Sequence, residues 1–331
     1  MSTSEFDIPA PEADAASRRT SKVSVVGAGA VGATLAYAAL IRGAAREVAL
    51  YDINKAKVEA EALDIGHGIQ FMPMGSIVGS DDPAVCADSD MIVITSGAKQ
   101  KPGQSRLELA GATVNIMKKL IPSLLEVAPN AIYMLVANPV DVVTYVSMKI
   151  SGLPANQMFG SGTVLDSGRL RYLVSLKTKT AVQNVHAFIV GEHGDTEFAL
   201  WSSANIASIP LHEWPQTGPN ALTIEDREEI AKDVVNSAYK IIEGKGATNY
   251  AVGLACTRII EAVIRDENRV LPVSSLLRDY NGVSDVCLSV PSIVGRSGVK
   301  QTLTVPMDEF EIARLQASAE KIRSVAAGLG F

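Results

Sequence analysis

The sequence predicts an α/β protein in which a doubly wound parallel sheet is followed by an α+β unit. Short runs in the first half are apolar throughout, which is typical of parallel strands covered on both faces. Amphipathic helical stretches such as AVGATLAYAALIRG and NKAKVEAEALDIGHG separate these runs, so strand and helix alternate as in a doubly wound sheet. The predicted strands are VSVVG (23–27), EVALY (47–51), MIVIT (91–95) and AIYMLV (131–136).

The pattern changes near residue 160, where the strict alternation of strand and helix ends. Helices are predicted over 163–177, from Thr223 onward and near 308–325, and the acidic first turn after Thr223 favours a helix start there. Strands are predicted in VHAFIVGEH, FALWSSANIASIPL, VLPVSSLL and DVCLSVPSIVG. We therefore expect two domains, over 21–160 and 161–331. Residues 1–20 form either a flexible tail or an arm that orders on a partner subunit.

Composition limits the classes of function. The 331 residues carry a net charge of -6, and no basic stripe is present, so neither nucleic acid nor an anionic membrane is an expected partner. The three cysteines are widely spaced in apolar settings, which predicts reduced core thiols. The chain lacks both a signal peptide pattern and an apolar run of about 18 residues, so we expect a cytoplasmic protein.

A glycine-rich turn follows the first predicted strand and opens the first helix. Gly27, Gly29 and Gly32 form a G-x-G-x-x-G pattern, which permits a tight turn and close approach of a pyrophosphate to a helix amino terminus. Asp52 ends the second strand, where a carboxylate can bind ribose hydroxyls and repel a 2′-phosphate. This favours NAD over NADP. The alternative is a turn that serves helix packing only, with Asp52 capping the next helix.

His193 is the histidine most suggestive of chemistry, because it lies in the glycine-flanked acidic segment GEHGDTE. Asp166 and Arg169 are three residues apart in TVLDSGRLRYL, so both project from one helical face. If that face meets His193, Asp166 can fix its tautomer and Arg169 can bind a carboxylate. The alternatives are a structural histidine and a surface ion pair. Ligand spacing for a metal is not found, so no metal is expected.

Six motifs together resemble the L-lactate/malate dehydrogenase family, and within it the bacterial L-lactate dehydrogenases. The resemblance runs from about residue 21 to the end of the chain. The motifs occur in the order of the family: VVGAGAVG, GAKQKPGQSR, VANPVD, SGTVLDSGRLR, GEHGDTE and GATNYAVG.

The resemblance implies a division of labour in the reduction of a 2-oxo acid with NADH. Arg169 would bind the substrate carboxylate, and protonated His193 would donate its proton to the carbonyl oxygen. Asp166 would raise the pKa of that histidine. Asn138 would bind the reacting oxygen, and Arg106 would reach it when the glycine-hinged loop after MIVIT closes.

Substrate choice is implied by two further positions. Gln100 would face the third carbon of the substrate, where malate enzymes of the family carry arginine. Oxaloacetate would then bury a second carboxylate without a partner, at a cost on the order of several kcal/mol. Thr248 resembles the residue beside the substrate methyl in lactate enzymes. Pyruvate and L-lactate are therefore the expected substrates, with malate dehydrogenase and a noncatalytic NAD-binding protein as the alternatives.

The resemblance also implies which residues bind the cofactor and an effector. The expected NAD contacts are Gly27, Gly29, Val31, Gly32, Asp52, Lys57, Gly97, Ala98, Val136, Asn138 and Ser161. Arg171 and His186 would bind fructose 1,6-bisphosphate at an interface of a homotetramer, where the sugar phosphate relieves repulsion between cations repeated across a twofold axis. The alternative is a plain polar interface without a ligand.

Overall fold

The computed structural model describes residues 20–98 and 106–331, with Arg106 described by its backbone alone. A nine-stranded sheet runs through the molecule in the order β14-β13-β12-β6-β5-β4-β1-β2-β3. Its strands are β1 (Lys22–Val26), β2 (Glu47–Tyr51), β3 (Ser76–Ser80), β4 (Met91–Ile94), β5 (Ile132–Leu135), β6 (Met158–Gly160), β12 (Arg269–Leu277), β13 (Val286–Gly295) and β14 (Gly298–Thr302).

Six strands of this sheet, β1 to β6, are parallel and come from the first half of the chain. Their spatial order, β3-β2-β1-β4-β5-β6, reverses direction between β1 and β4, and such a switch point forms a crevice at the carboxyl ends of the strands. The predicted Rossmann-type sheet is therefore confirmed.

The second half of the chain extends the same sheet. Strand β12 pairs antiparallel with β6 at Ser274 and Gly160, and β13 and β14 continue as antiparallel neighbours. We expected a second unit packed on the first. The structure shows in addition that the two halves share one sheet, which is continuous across the predicted boundary. Short strands lie apart from it: β7 (Val185–His186), β8 (Ile189–Val190), β9 (Phe198–Ala199), β10 (Asn205–Ile206) and β11 (Ile209–Pro210).

Eight α-helices cover the sheet and the second half within the described residues. They are α1 (Ala30–Ile41), α2 (Lys55–His67), α3 (Arg106–Val127), α4 (Val140–Ser151), α5 (Val164–Thr178), α6 (Ile224–Lys245), α7 (Tyr250–Ile264) and α8 (Glu309–Gly328). Capping explains where several begin. Asn54 caps α2, and capping boxes open α6 at Thr223 and α8 at Asp308.

Three strands of the large sheet were not predicted from the sequence. β3 is an edge strand whose residues are half-buried or exposed, so it lacks an apolar run. β6 has only three residues, and β14 carries exposed Lys300 and Gln301. Strand prediction by continuous apolar character therefore finds the central strands, which are buried on both faces, and misses edges and short strands.

The core lies on both faces of the sheet, and the central strands β4 and β5 are fully buried. Cys86, Cys256 and Cys287 are buried and free, as the sequence predicted. Over residues 20–98 and 106–331, no helix is both long enough and apolar enough to cross a membrane.

Candidate active site

The predicted cofactor residues lie at one edge of the parallel sheet. Gly27 follows β1, Asp52 follows β2, Gly97 follows β4, Val136 follows β5 and Ser161 follows β6. Because the carboxyl ends of parallel strands meet at this edge, residues far apart in the chain line one crevice.

The glycine turn is shaped for close approach of a ligand to its backbone. A side chain on Gly32 would place its Cβ 1.8 Å from the carbonyl oxygen of Gly27, and Gly27 has a φ of +107°. A Cβ at Gly29, in contrast, would meet no atom within 4 Å. Gly29 is the N-cap of α1 and offers no side-chain cap, so no capping side chain satisfies the first N–H groups of the helix. This open, positive helix terminus fits a pyrophosphate.

Asp52 anchors the turn in this structure. Its Oδ2 accepts a hydrogen bond of 2.7 Å from the N–H of Ala28, and its Oδ1 accepts one of 2.9 Å from the N–H of Asn54. The carboxylate is only half-buried, so it can still face a ribose. Lys57 lies in the first turn of α2, and its N–H donates to the Asn54 side chain. Asp52 therefore has a structural contact in addition to its predicted role.

An apolar cavity of about 430 Å³ adjoins Asp52 and was missed at the sequence level. Tyr51 and Ile53 from the end of β2 line it together with Ile116 and Lys119 from α3. Ile53 is 87% exposed. Such apolar walls suit a flat base at the adenosine end of a dinucleotide. The available signal was an isoleucine directly after Asp52.

Thr113 of α3 ties together two of the predicted NAD segments. Its hydroxyl donates to the carbonyl oxygen of Asn138 at 3.2 Å and accepts from the N–H of Ala98 at 3.3 Å. The ends of β4 and β5 are thereby held side by side. Val31 lies in the first turn of α1.

The structure brings Asp166, Arg169 and His193 together. Nδ1 of His193 lies 2.7 Å from Oδ2 of Asp166, and an Arg169 guanidinium nitrogen lies 2.6 Å from Oδ1 of the same carboxylate. Asp166 is 1% exposed, whereas the histidine side chain retains 26% exposure. Since Nδ1 is taken by Asp166, Nε2 is the nitrogen that remains for a substrate.

Electrostatics favour a protonated histidine. Burial lowers the pKa of His193, but the charge of Asp166 and the hydrogen bond to it outweigh that effect and raise the pKa to about 9. The pKa of Asp166 is lowered, because the charges of His193 and Arg169 overcome the opposing effect of burial. His193 therefore carries a proton at neutral pH.

Asp141 supports the histidine from the other side and was not singled out by sequence reasoning, although it lies in the quoted motif VANPVD. Its Oδ2 accepts from the backbone N–H of His193 at 2.7 Å, and its Oδ1 accepts from the hydroxyl of Ser274 at 2.6 Å. Burial raises the pKa of Asp141 to about 6, against the lowering effect of these bonds. The backbone and the ring of His193 are thus held by two different carboxylates.

Glu197 is a third buried carboxyl beside the histidine, and it too was missed. Its Oε2 lies 3.8 Å from Nδ1 of His193. Burial and the charge of Asp166 raise its pKa to about 8. Asp166, His193 and Glu197 offer ligand atoms within 4.8 Å of one another. Because Arg169 already pairs with Asp166, we interpret the cluster as a proton-holding group, and the absence of a metal remains a prediction.

Three predicted substrate contacts are less directly placed. Gln100 lies outside the described residues, and Arg106 is placed only as the first residue of α3. Thr248 lies between α6 and α7, next to Asn249, whose Nδ2 donates to the Thr34 hydroxyl on α1 at 2.9 Å. No hydrogen bond joins Thr248 to His193 in the part of the chain that the structure describes.

The predicted effector residues lie close to each other on the second half of the chain. Nε of Arg171 donates to the carbonyl oxygen of Ala187 at 2.9 Å, and its guanidinium lies 4.9 Å from the centre of the Phe188 ring. His186 directly precedes these two residues and is exposed. Burial and the charge of Arg269 lower the pKa of Arg171. The two predicted residues are therefore neighbours in space.

Comparison with known proteins agrees with this geometry. The family model described as "lactate/malate dehydrogenase, NAD binding domain" matches residues 21–160, and the model of the α/β carboxyl-terminal domain matches 163–327. The chain belongs to the lactate/malate dehydrogenase family. The predictions of an NAD-dependent oxidoreductase and of NAD as its cofactor are thereby confirmed.

Relatives of this family member cover nearly all of it. An L-lactate dehydrogenase of Bifidobacterium animalis subsp. lactis (strain AD011) is 59% identical over 95% of this chain and 98% of its own length. An L-lactate dehydrogenase of Thermoanaerobacter sp. (strain X514) is 49% identical over 92% and 97%. The crystal structure of a lactate dehydrogenase from a Medee basin deep-sea metagenome library has a TM-score of 0.91 and 38% identity, over 95% of this chain and 100% of that one.

Proposed function

We propose that the protein catalyses the reversible, NADH-dependent reduction of pyruvate to L-lactate, with His193 as the proton donor. The observation that carries the proposal is the 2.7 Å contact between His193 and Asp166, with Arg169 on the same carboxylate. The names of the similar proteins, which are L-lactate dehydrogenases, support the substrate and its stereochemistry.

The residues of the chain prepare the substrate for hydride transfer, which is the chemistry that bound NADH supplies. Arg169 uses one guanidinium nitrogen for Asp166, and its remaining donors bind the substrate carboxylate. This orients the carbonyl toward His193, whose Nε2 gives up the proton. Asp166 stabilises the imidazolium before transfer and keeps the ring in place after it. In lactate oxidation the same histidine starts neutral and accepts the proton.

Loop closure completes the site in this proposal. Arg106, the first residue of α3, is assigned to the developing oxyanion, where its charge counts most when the site closes. Gln100 is assigned to the methyl end of pyruvate. A neutral residue there disfavours oxaloacetate, whose second carboxylate would be buried without a partner.

The test is NADH oxidation by the purified enzyme with pyruvate and with oxaloacetate. We expect a much larger kcat/KM for pyruvate, and we expect Gln100→Arg to move the ratio toward oxaloacetate by about two orders of magnitude or more, since it supplies the missing counter-charge. Gln100→Asn, which stays neutral, is the control. A malate dehydrogenase would prefer oxaloacetate from the start, and a noncatalytic NAD-binding protein would oxidise NADH with neither.

We further propose that the enzyme is a homotetramer activated by fructose 1,6-bisphosphate at Arg171 and His186. The neighbouring positions of these residues, and the additional positive charge of Arg269, support an anion site there. The effector should lower the KM for pyruvate and favour the tetramer in sedimentation between pH 5.5 and 8. Unchanged kinetics and assembly at saturating effector would leave a plain polar interface as the better interpretation.

A further inference from the structure

The turn that carries His193 is closed by the carboxyl-terminal helix α8. The N–H of Glu192 donates to the hydroxyl of Ser318 at 2.7 Å, and the hydroxyls of Ser318 and Thr196 lie 2.9 Å apart. The Thr196 hydroxyl donates to Oε2 of Glu192 at 2.5 Å, and Nζ of Lys321 lies 2.9 Å from the same oxygen. We call these four side chains, Glu192, Thr196, Ser318 and Lys321, the α8 clasp.

The clasp has one consistent hydrogen-bond direction. Because the Thr196 proton is donated to Glu192, its oxygen accepts the proton of Ser318, and the Ser318 oxygen in turn accepts the N–H of Glu192. Each hydroxyl therefore accepts one bond and donates one. The ring begins and ends at Glu192, and such chains of hydrogen bonds strengthen one another when they are shielded from water. Ser318 is 0% exposed and Glu192 is 4% exposed.

The two attachment points of the clasp flank the reacting histidine. Glu192 directly precedes His193, and Thr196 follows it by three residues. Asp141 holds the His193 backbone from α4 and Asp166 holds its ring from α5, but neither fixes the far end of the turn. The α8 clasp supplies that missing restraint.

We propose that Thr196 and Ser318 are positioning residues for the proton transfer, which hold His193 in register with Asp166 without touching the substrate. The inference rests on the proposed role of His193. A misplacement of about 1 Å in such a site can cost on the order of 100-fold in rate, so a restraint outside the site can still control the reaction.

The upper pH midpoint of kcat/KM reports the pKa of His193, and the charged groups around the histidine determine that pKa. Asp166 raises its pKa most, so a loosened turn lengthens that contact and lowers the pKa. Lys321 reaches Glu192, and an Arg314 guanidinium nitrogen reaches the Glu197 carbonyl oxygen at 3.4 Å. Among residues 20–98 and 107–331, the charged groups around the turn are Asp141 on α4, Asp166 and Arg169 on α5, Glu192 and Glu197 in the turn, and Arg314 and Lys321 on α8.

The test compares Thr196→Val, which removes the hydroxyl at nearly constant volume, with Thr196→Ser, which keeps it. We expect Thr196→Val to lower kcat for pyruvate about tenfold or more. The upper pH midpoint of kcat/KM should fall in the same variant, while the Kd for NADH stays unchanged. Thr196→Ser should restore both quantities. Ser324→Ala, an exposed serine on the same helix, is the control and should match the wild type.

Two outcomes would overturn the proposed positioning role of the α8 clasp. One is a folded Thr196→Val with wild-type kcat and pH midpoint, and the other is a lower kcat with an unmoved midpoint, which indicates a structural role only. Should Thr196→Val not fold, Ser318→Ala removes the other hydroxyl of the clasp without changing any charge and should lower the midpoint in the same way. An unmoved midpoint there also refutes the proposal. His193→Asn tests the proposed function separately from the clasp. If this variant stays active, the proposed role of His193 is wrong.

Discussion

His193 is surrounded by three carboxyl groups that differ in protonation because their surroundings differ. Asp166 has a lowered pKa because the charges of His193 and Arg169 overcome its burial. Glu197 is equally buried but lies 3.8 Å from the histidine, and its pKa is raised to about 8. At neutral pH the first is therefore ionised and the second holds its proton, so Glu197 adds no further negative charge beside Asp166.

Glu197 gives a pH-dependent prediction for stability. Its pKa is raised above the ordinary value of 4.5, so its contribution to stability is fully present below about 4.5 and is lost as the pH rises through about 8. Glutamine has the shape of the neutral carboxyl and cannot ionise, so Glu197→Gln does not lose this stability as the pH rises. The variant should therefore gain stability relative to the wild type between pH 6 and pH 9.

The measurement is urea unfolding of both proteins at pH 6 and at pH 9. Exposed Glu228→Gln carries the same chemical change on α6 and should show no growing difference. A difference between Glu197→Gln and the wild type that stays constant from pH 6 to pH 9 would show that the carboxyl is already ionised in the folded protein at pH 6.

At the scale of elements, the first turn of α1 places opposite demands on two glycines. A Cβ at Gly32 would lie 1.8 Å from the Gly27 carbonyl oxygen, so the fold itself excludes it. A Cβ at Gly29 would meet open space, and its φ of -74° suits alanine. Packing therefore requires a glycine at Gly32, whereas we expect Gly29 to be needed only for the approach of the cofactor.

The two alanine variants should therefore change different properties, stability in one and NADH affinity in the other. Gly32→Ala should lose about 1–3 kcal/mol of unfolding free energy, because the turn must shift to admit the methyl. Gly29→Ala should keep the stability of the wild type but bind NADH at least about tenfold more weakly, since the methyl occupies the place of the pyrophosphate. Chemical unfolding and fluorescence titration with NADH measure the two effects. Equal NADH affinity in Gly29→Ala and the wild type would contradict the cofactor assignment.

Local patterns predicted some elements of the site and not others. The turn with Gly27, Gly29 and Gly32 and the pair Asp166 and Arg169 are each encoded within one short segment, so spacing was sufficient. The partners of the histidine turn are not. Ser318 lies 126 residues from Glu192, and Ser274 lies 133 residues from Asp141. A buried serine on a helix or strand carries no local sign of the contact that it will make.

At the scale of the whole molecule, a buried ion cluster joins α1 of the first half to α7 of the second. Glu261 is 1% exposed, and Arg42 donates to both of its carboxylate oxygens, at 2.8 and 2.9 Å. Arg258 lies 2.5 Å from the same carboxylate. Burial favours the neutral acid, but the hydrogen bonds from the two arginines outweigh it and lower the pKa of Glu261.

Glu261→Gln should destabilise the protein by roughly 3 kcal/mol, the low end for breaking a buried pair, because Arg42 is partly exposed and can regain water. Since the pKa of Glu261 is lowered in the folded state, its contribution is present at neutral pH and is lost as the pH falls below about 4.5. Urea unfolding at pH 7 and pH 4 measures both points. Arg265→Gln, with a contact of 3.7 Å to the same carboxylate, should cost much less.

The central claim is that Asp166 keeps His193 protonated for proton donation, and the pH dependence of kcat/KM for pyruvate tests it most directly. The wild type should be constant through neutral pH and fall above about 9, because the reactive form is the imidazolium. Asp166→Asn should lower that midpoint by about 1–3 pH units and reduce kcat about 100-fold or more. A midpoint that stays near 9 in Asp166→Asn would contradict the claim.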